Sequence, residues 1–248
     1  MTQTLSSVVI IPARFKSSRF PGKPLALING QSLICRVWNR CVLALGPANV
    51  YIATDDLSIK SHCESFGAQV LMTSENCLTG TDRIAEASKL VAADCYINVQ
   101  GDEPMVSPED ILAVLDAFIK RPELVHCAMC PIESEGEFKS LSVPKVVARR
   151  DGRLMYISRA TIPSNKEGQF ESGMKQVCIY AFAPQHLSLF GAGKHKTKLE
   201  EIEDIEILRF LESGVDVNMV PIAGGSIAVD FPDDVGRVEE SLRRIKLK

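Results

Sequence analysis

The stretch VVIIPARFKSSRFPGKPL, residues 8–25, decides how this chain reads. Val8, Val9, Ile10 and Ile11 form a continuous apolar, β-branched run, the pattern of a parallel strand covered on both faces. Pro12 has no N–H to give to a ladder and is expected to end the strand. Four cations follow within ten residues, Arg14, Lys16, Arg19 and Lys23, and Ser17, Ser18 and Gly22 add hydroxyl and backbone donors. A buried strand that delivers a loop of this composition suits a polyphosphate; the bland alternative is a surface turn with solvated Arg and Lys. The loop contains neither GxxxxGKS/T nor GxGxxG, so neither a P-loop ATPase nor a dinucleotide fold is supported.

Outward from this loop the chain alternates strand and helix. Residues 28–31 read as a turn, and Ser32 caps a helix to about residue 45, ended by Gly46-Pro47. A strand over 50–53 runs into a helix capped near Asp56, followed by a strand over 69–72 and a polar loop over 73–83. A helix over 84–91 and a strand over 95–99 lead to Gln100-Gly101-Asp102-Glu103-Pro104. This order predicts an α/β fold with a doubly wound, mostly parallel sheet. Ser107-Pro108 starts another helix, and 124–131 is the next strand. The region from about 131 to 180 has little helical periodicity and holds a hairpin, 145–149 with 154–158, turning at Asp151-Gly152. It is read as a small antiparallel insertion within one domain covering the whole chain. A strand over 176–182, one amphipathic helix over 197–213, late strands over 215–221 and 227–229 and a helix over 232–247 complete the reading.

Composition narrows the function classes. The 248 residues suffice for a full core, and 28 Lys+Arg against 31 Asp+Glu give a net charge of −3, with no global basic field for nucleic acid or an anionic membrane. An anion site must therefore be local. No apolar stretch approaches the roughly 18 residues of a membrane span, and no signal-peptide pattern is seen at the N-terminus, so a cytoplasmic protein is expected. The 8 cysteines are scattered through apolar contexts and read as reduced core thiols, including the lone CxxC at Cys127 and Cys130.

In open α/β sheets ligands lie beyond the carboxyl ends of the strands. The loops carrying Arg14 to Lys23, Thr79 to Arg83 and Gln100 to Asp102 should then converge on one crevice. Lys23 and Arg14 would stabilise charge on a reacting phosphate. Arg83 could bond a pyrimidine ring or a phosphate. Asp102 ends an apolar strand behind Gly101 and reads as a metal carboxylate or a turn-capping Asp; Asp230 reads the same way, with helix capping favoured by Pro232. His62, His126, His186 and His195 lie away from these loops and read as packing or surface residues.

The run PARFKSSRFPGKPL, with VQGDEP at 99–104 and VDFPDD at 229–234, resembles the sugar-acid cytidylyltransferases, most closely the 3-deoxy-manno-octulosonate (Kdo) cytidylyltransferase family, from about residue 7 to about residue 240. The resemblance implies CTP and a small sugar acid as substrates, Mg2+ held by Asp102 and Asp230, and catalysis by Arg14, Lys23 and Asp102. It implies a nucleotide site of Pro12, Ala13, Arg14, Arg19, Lys23, Thr81, Arg83 and Gln100. Gln100, Arg159, Gln176, Tyr180 and Glu206 would line the sugar pocket, and a homodimer would form on the 131–180 insertion, in a pathway such as lipopolysaccharide synthesis. The chain departs from the family pattern where Gln176 replaces a His, Ile207 a Gln and Phe231 a Thr. Those changes leave open another nonulosonic acid as substrate. The rival readings are a sugar 1-phosphate nucleotidyltransferase and an inactive binding relative.

Overall fold

Val8 and Ile10 point to one side of the first strand and Val9 and Ile11 to the other, and all four are buried, so the strand needs a helical layer on each face. The computed structural model, which describes residues 5–16 and 19–246, supplies both layers. The chain begins with β1 (Ser7–Ala13), a small ribbon of β2 (Leu27–Ile28) and β3 (Gln31–Ser32), and α1 (Leu33–Leu45). Next come β4 (Val50–Thr54), α2 (Leu57–Ser65), β5 (Gln69–Met72), α3 (Gly80–Ala87), β6 (Cys95–Val99) and α4 (Pro108–Lys120). The second half holds β7 (Val125–Pro131), α5 (Glu135–Lys139), β8 (Lys145–Ala148), β9 (Leu154–Ser158), β10 (Met174–Phe182) and α6 (Pro184–Leu187). It closes with α7 (Lys198–Glu203), α8 (Leu208–Glu212), β11 (Val217–Pro221) and α9 (Asp234–Lys246). Val9 and Ile11 pack with Leu33 and Val37 of α1 and Phe118 of α4. Val8 and Ile10 pack with Ile84 of α3 and Leu208 and Phe210 of α8.

The sheet order is β11-β7-β10-β6-β1-β4-β5. β1 lies parallel to both β4 and β6, β4 is parallel to β5, and β11 is parallel to β7. Only β10, between β6 and β7, runs antiparallel within this row, and it also pairs with β8 of the β8–β9 hairpin. The winding runs outward from β1 in both directions, through β4 and β5 on one side and β6 on the other, so the crevice expected for a ligand opens beyond the carboxyl ends of β1 and β6.

Four expectations are corrected. β1 continues through Pro12, which pairs in register with Ala53, because the ladder with β6 has ended by Ile10 and on that side no partner asks for the missing N–H. Residues 79–83 are not loop: Thr79 caps α3 and shares a reciprocal capping box with Asp82, so the helix starts at Gly80. The single helix expected over 197–213 is two short helices broken at Asp204, whose φ of 50° is left-handed. Residues 227–229 form no strand; Val229 N–H donates to the Asp102 carbonyl at 2.9 Å as an isolated tie. Ser17 and Ser18, and the expected helix end at Leu247, lie outside the described residues. The eight cysteines are free thiols, seven of them buried, as expected.

Candidate active site

Three strand and helix ends form the walls of one cleft. The turn after β1 brings Arg14, Arg19 and Lys23; the end of β6 brings Gln100, Gly101 and Asp102; the start of α3 brings Thr79 and Gly80. The segment around the α7–α8 break adds Lys196, Asp204 and Glu206. Gly22, at φ 70°, turns the chain so that Lys23 opens a short 3-10 turn pointing back at the sheet.

Lys23 is the hub. Its Nζ donates to Asp102 Oδ2 at 2.8 Å and to the Val229 carbonyl at 2.8 Å, and lies 3.8 Å from Asp230 Oδ1. Arg19 Nη2 approaches the same Asp230 oxygen at 3.0 Å, and its guanidinium stands over the Phe231 ring at 5.4 Å from the centroid. The two aspartates, far apart in sequence, therefore flank one ammonium, and both keep about a quarter of their side chains exposed. Behind them Glu103 is buried; burial, then the adjacent Asp102 charge, pushes its carboxyl up to about 7.

Similarity to known proteins gives the family in which this cleft occurs. Residues 8–217 match the family model described as cytidylyltransferase. The chain belongs to the cytidylyltransferase family. It is 38% identical over 241 residues to the 3-deoxy-manno-octulosonate cytidylyltransferase of Protochlamydia amoebophila (strain UWE25), covering 94% of this chain and 93% of that one. It is 38% identical over 243 residues to the 8-amino-3,8-dideoxy-manno-octulosonate cytidylyltransferase of Shewanella sp. (strain W3-18-1), covering 96% and 99%. A solved structure of CMP:2-keto-3-deoxy-manno-octonic acid synthetase complexed with CTP superposes with a TM-score of 0.88 at 34% identity, covering 96% of this chain and 99% of that one.

Within this cytidylyltransferase, the residues expected for the nucleotide mostly meet in the cleft. Pro12, Ala13, Arg14, Arg19, Lys23 and Gln100 all line it. Arg83 also reaches its wall but is almost wholly buried, its guanidinium held by Thr73 Oγ1 at 2.5 Å and by Asp55 at 3.5 Å. Thr81 does not reach the cleft: it is 1% exposed, and its backbone N–H and hydroxyl both bond Glu206.

The residues expected for the sugar are dispersed. Gln100 and Glu206 line the cleft, and Glu206 also accepts the Gly80 N–H at 3.0 Å, closing the start of α3. Burial raises the Glu206 carboxyl above its ordinary range. Tyr180 is buried in the sheet and its hydroxyl accepts from Gln176 Nε2 at 3.1 Å, so these two are paired with each other outside the cleft. Ile207 is 1% exposed in an apolar cluster with Phe182 and Phe210. The two substituted positions thus support the wall from behind. Arg159 is also displaced: its guanidinium donates to the carbonyls of Glu203, Leu141 and Asp204 at 2.5, 2.8 and 2.9 Å. Of the five residues that the family resemblance assigns to the sugar, the cleft is thus lined by Gln100 and Glu206, while Arg159, Gln176 and Tyr180 bond to other parts of the protein.

Sequence reasoning missed Asp204, which lay inside what read as one continuous helix, and Lys196, which stands just before it. It also missed the buried trio in which Arg209 Nε donates to Glu200 at 2.6 Å and Nη1 to Asp82 at 2.9 Å. The signal was an Arg and two acids, Asp82 and Glu200, on apolar-periodic helices with no solvated face to spare.

Proposed function

We propose that this chain uses CTP to activate a ulosonic acid, Kdo or a close relative, giving a CMP-sugar and pyrophosphate. The observation that carries the reading is the Lys23–Asp102–Asp230 cluster beyond the carboxyl ends of β1 and β6, with Arg14 and Arg19 beside it. The named activities of the relatives support the nucleotide and the acceptor class.

Arg14 and Lys23 face the charge that grows on the α-phosphate and on the departing pyrophosphate as the acceptor hydroxyl attacks. Neither needs to move a proton. Gly101 lets the end of β6 approach the first loop closely, which brings Asp102 up to Lys23. Asp102 and Asp230 fit magnesium: both are hard oxygen donors, they share one cationic neighbour, and one or two carboxylates with substrate phosphates suffice for this ion. Bound there, the ion would screen the triphosphate and polarise its reacting phosphoryl group. Lys23 and Arg19 pair with the two carboxylates and fix their directions.

The 131–180 region supports a homodimer, since Leu141 and Met155 are 69% and 60% exposed there and need cover. Sedimentation at micromolar concentration should show a dimer; a strictly monomeric species would reject it. A cytoplasmic location follows from the substrate, because CTP is a cytoplasmic metabolite, and a CMP-linked Kdo would serve surface-glycan synthesis such as lipopolysaccharide. The deciding experiment is pyrophosphate release with each of the four nucleoside triphosphates against Kdo, its 8-amino relative and other ulosonic acids. Release with CTP and a Kdo-type acid is expected. No release with any ulosonic acid would sink the reading.

A further inference from the structure

A ulosonic acid brings a carboxylate into a cleft whose wall at the α7–α8 break is lined by two carboxylates of its own, Asp204 and Glu206. Like charges at such range repel, so a cation must stand on that side for the acid to bind. Among the described residues, five cations line the cleft: Arg14, Arg19, Lys23, Arg83 and Lys196. Lys23 and Arg19 are committed to Asp102 and Asp230, and Arg83 is buried against Asp55 and Thr73. Arg14, whose charge also reaches Asp204, comes from the first loop and is the residue the proposed transfer uses on the reacting phosphate. Arg159 spends its donors on the carbonyls of Leu141, Glu203 and Asp204.

We propose that Lys196, held by Asp204, is the specificity-determining residue that takes the acceptor's carboxylate. This rests on the proposed cytidylyl transfer to a ulosonic acid. Lys196 Nζ donates to Asp204 Oδ1 at 2.6 Å, and its side chain is one-quarter exposed. An ammonium has three N–H donors, so this bond fixes its direction and leaves two for a ligand. Asp204 is itself fixed, since it occupies the left-handed break between α7 and α8 and its carbonyl accepts from Arg159. The Lys196 hydrogen bond, ahead of the other influences, holds the Asp204 carboxyl below its ordinary range. Arg159, expected to meet the sugar acid directly, acts through Asp204 on the lysine that does.

The test compares Kdo with its uncharged C1 methyl ester, following pyrophosphate release at saturating CTP in wild type, Lys196→Met and Lys196→Arg. Lys196→Met should raise the KM for Kdo roughly tenfold, keep the KM for CTP within about twofold, and abolish the wild-type preference for acid over ester. Lys196→Arg should recover most of that preference. If Lys196→Met fails to fold, Lys196→Gln carries the same comparison. A neutral variant that keeps the full acid-over-ester preference overturns the assignment while cytidylyl transfer stands. A wild type that releases no pyrophosphate with any ulosonic acid takes down the functional reading and this assignment together.

Discussion

At Gly101 a single methyl group decides whether the cleft can form. A Cβ there would stand 2.7 Å from the Pro12 carbonyl oxygen, a backbone atom held in the sheet. Gly101→Ala must therefore push β1 and the β6 end apart, separating Lys23 from Asp102. We expect a loss of about 1–3 kcal/mol in chemical denaturation and a drop in turnover well beyond what that loss explains. Wild-type turnover in the variant would refute the close approach. Asp102→Asn should lower turnover by orders of magnitude and Asp230→Asn by somewhat less, since Asp102 makes the shorter contact to Lys23. A magnesium titration of each variant checks this, and wild-type rates at limiting magnesium would refute the assignment. That Arg14, Arg19, Lys23 and Asp102 meet in one cleft was legible in the sequence, because loop cations and a strand-end carboxylate declare themselves by type and position, whereas Asp230 follows no strand and stood out only through the family resemblance. The places of Thr81, Gln176 and Ile207 were not legible, because nothing in a local pattern says that Thr81 turns to Glu206 or that Ile207 joins Phe182 and Phe210.

Among elements, the break between α7 and α8 shows what regular spacing conceals. Leu199, Ile202, Ile205, Leu208 and Leu211 recur at threes, yet Ile202 is exposed, because the chain reverses at Asp204 instead of continuing the helix. The break lets Glu206 cap α3 and lets Arg209 bridge Glu200 on α7 to Asp82 on α3, with the guanidinium over Phe190 at 3.9 Å. Asp82 in turn accepts the Gly191 N–H at 3.0 Å and closes the Thr79 capping box. One buried cation thus ties α7 and α8 to the helix that starts at the cleft. Arg209→Met would leave two buried carboxylates without their cation, at a cost of about 3–5 kcal/mol. Arg209→Lys should recover only part, since one ammonium cannot match the two-sided fork. Denaturant midpoints of the two variants test this, and a Met variant as stable as wild type would show that the trio contributes nothing net.

Over the whole molecule, the parallel half from β1 to β6 was readable because each strand and helix there satisfies its own local rule. The second half was less so, because β10 enters the main sheet antiparallel between β6 and β7, a long-range choice that no window of sequence records. That half is also where two buried histidines join distant segments. His126 on β7 accepts at Nδ1 from Asn218 Nδ2 at 3.2 Å, which leaves Nε2–H to donate to the Arg121 carbonyl at 2.9 Å. His186 on α6 accepts at Nδ1 from the Ala183 N–H at 3.2 Å and donates from Nε2 to the Glu123 carbonyl at 3.2 Å. Each imidazole is satisfied only when neutral, because a proton on Nδ1 would face another N–H. Burial accordingly lowers both below the ordinary value of about 6.5. Below that pH the unfolded chain takes up protons that the folded chain refuses, so stability is lost as pH falls through 6.5 toward the folded-state values. Melting temperature should therefore fall between about pH 7 and pH 5, and it should fall less steeply in His126→Gln and His186→Gln, whose amides can accept and donate without titrating. Comparing each variant with wild type cancels the other titrating groups. An unchanged slope in both variants would mean that these imidazoles are not what acid attacks first.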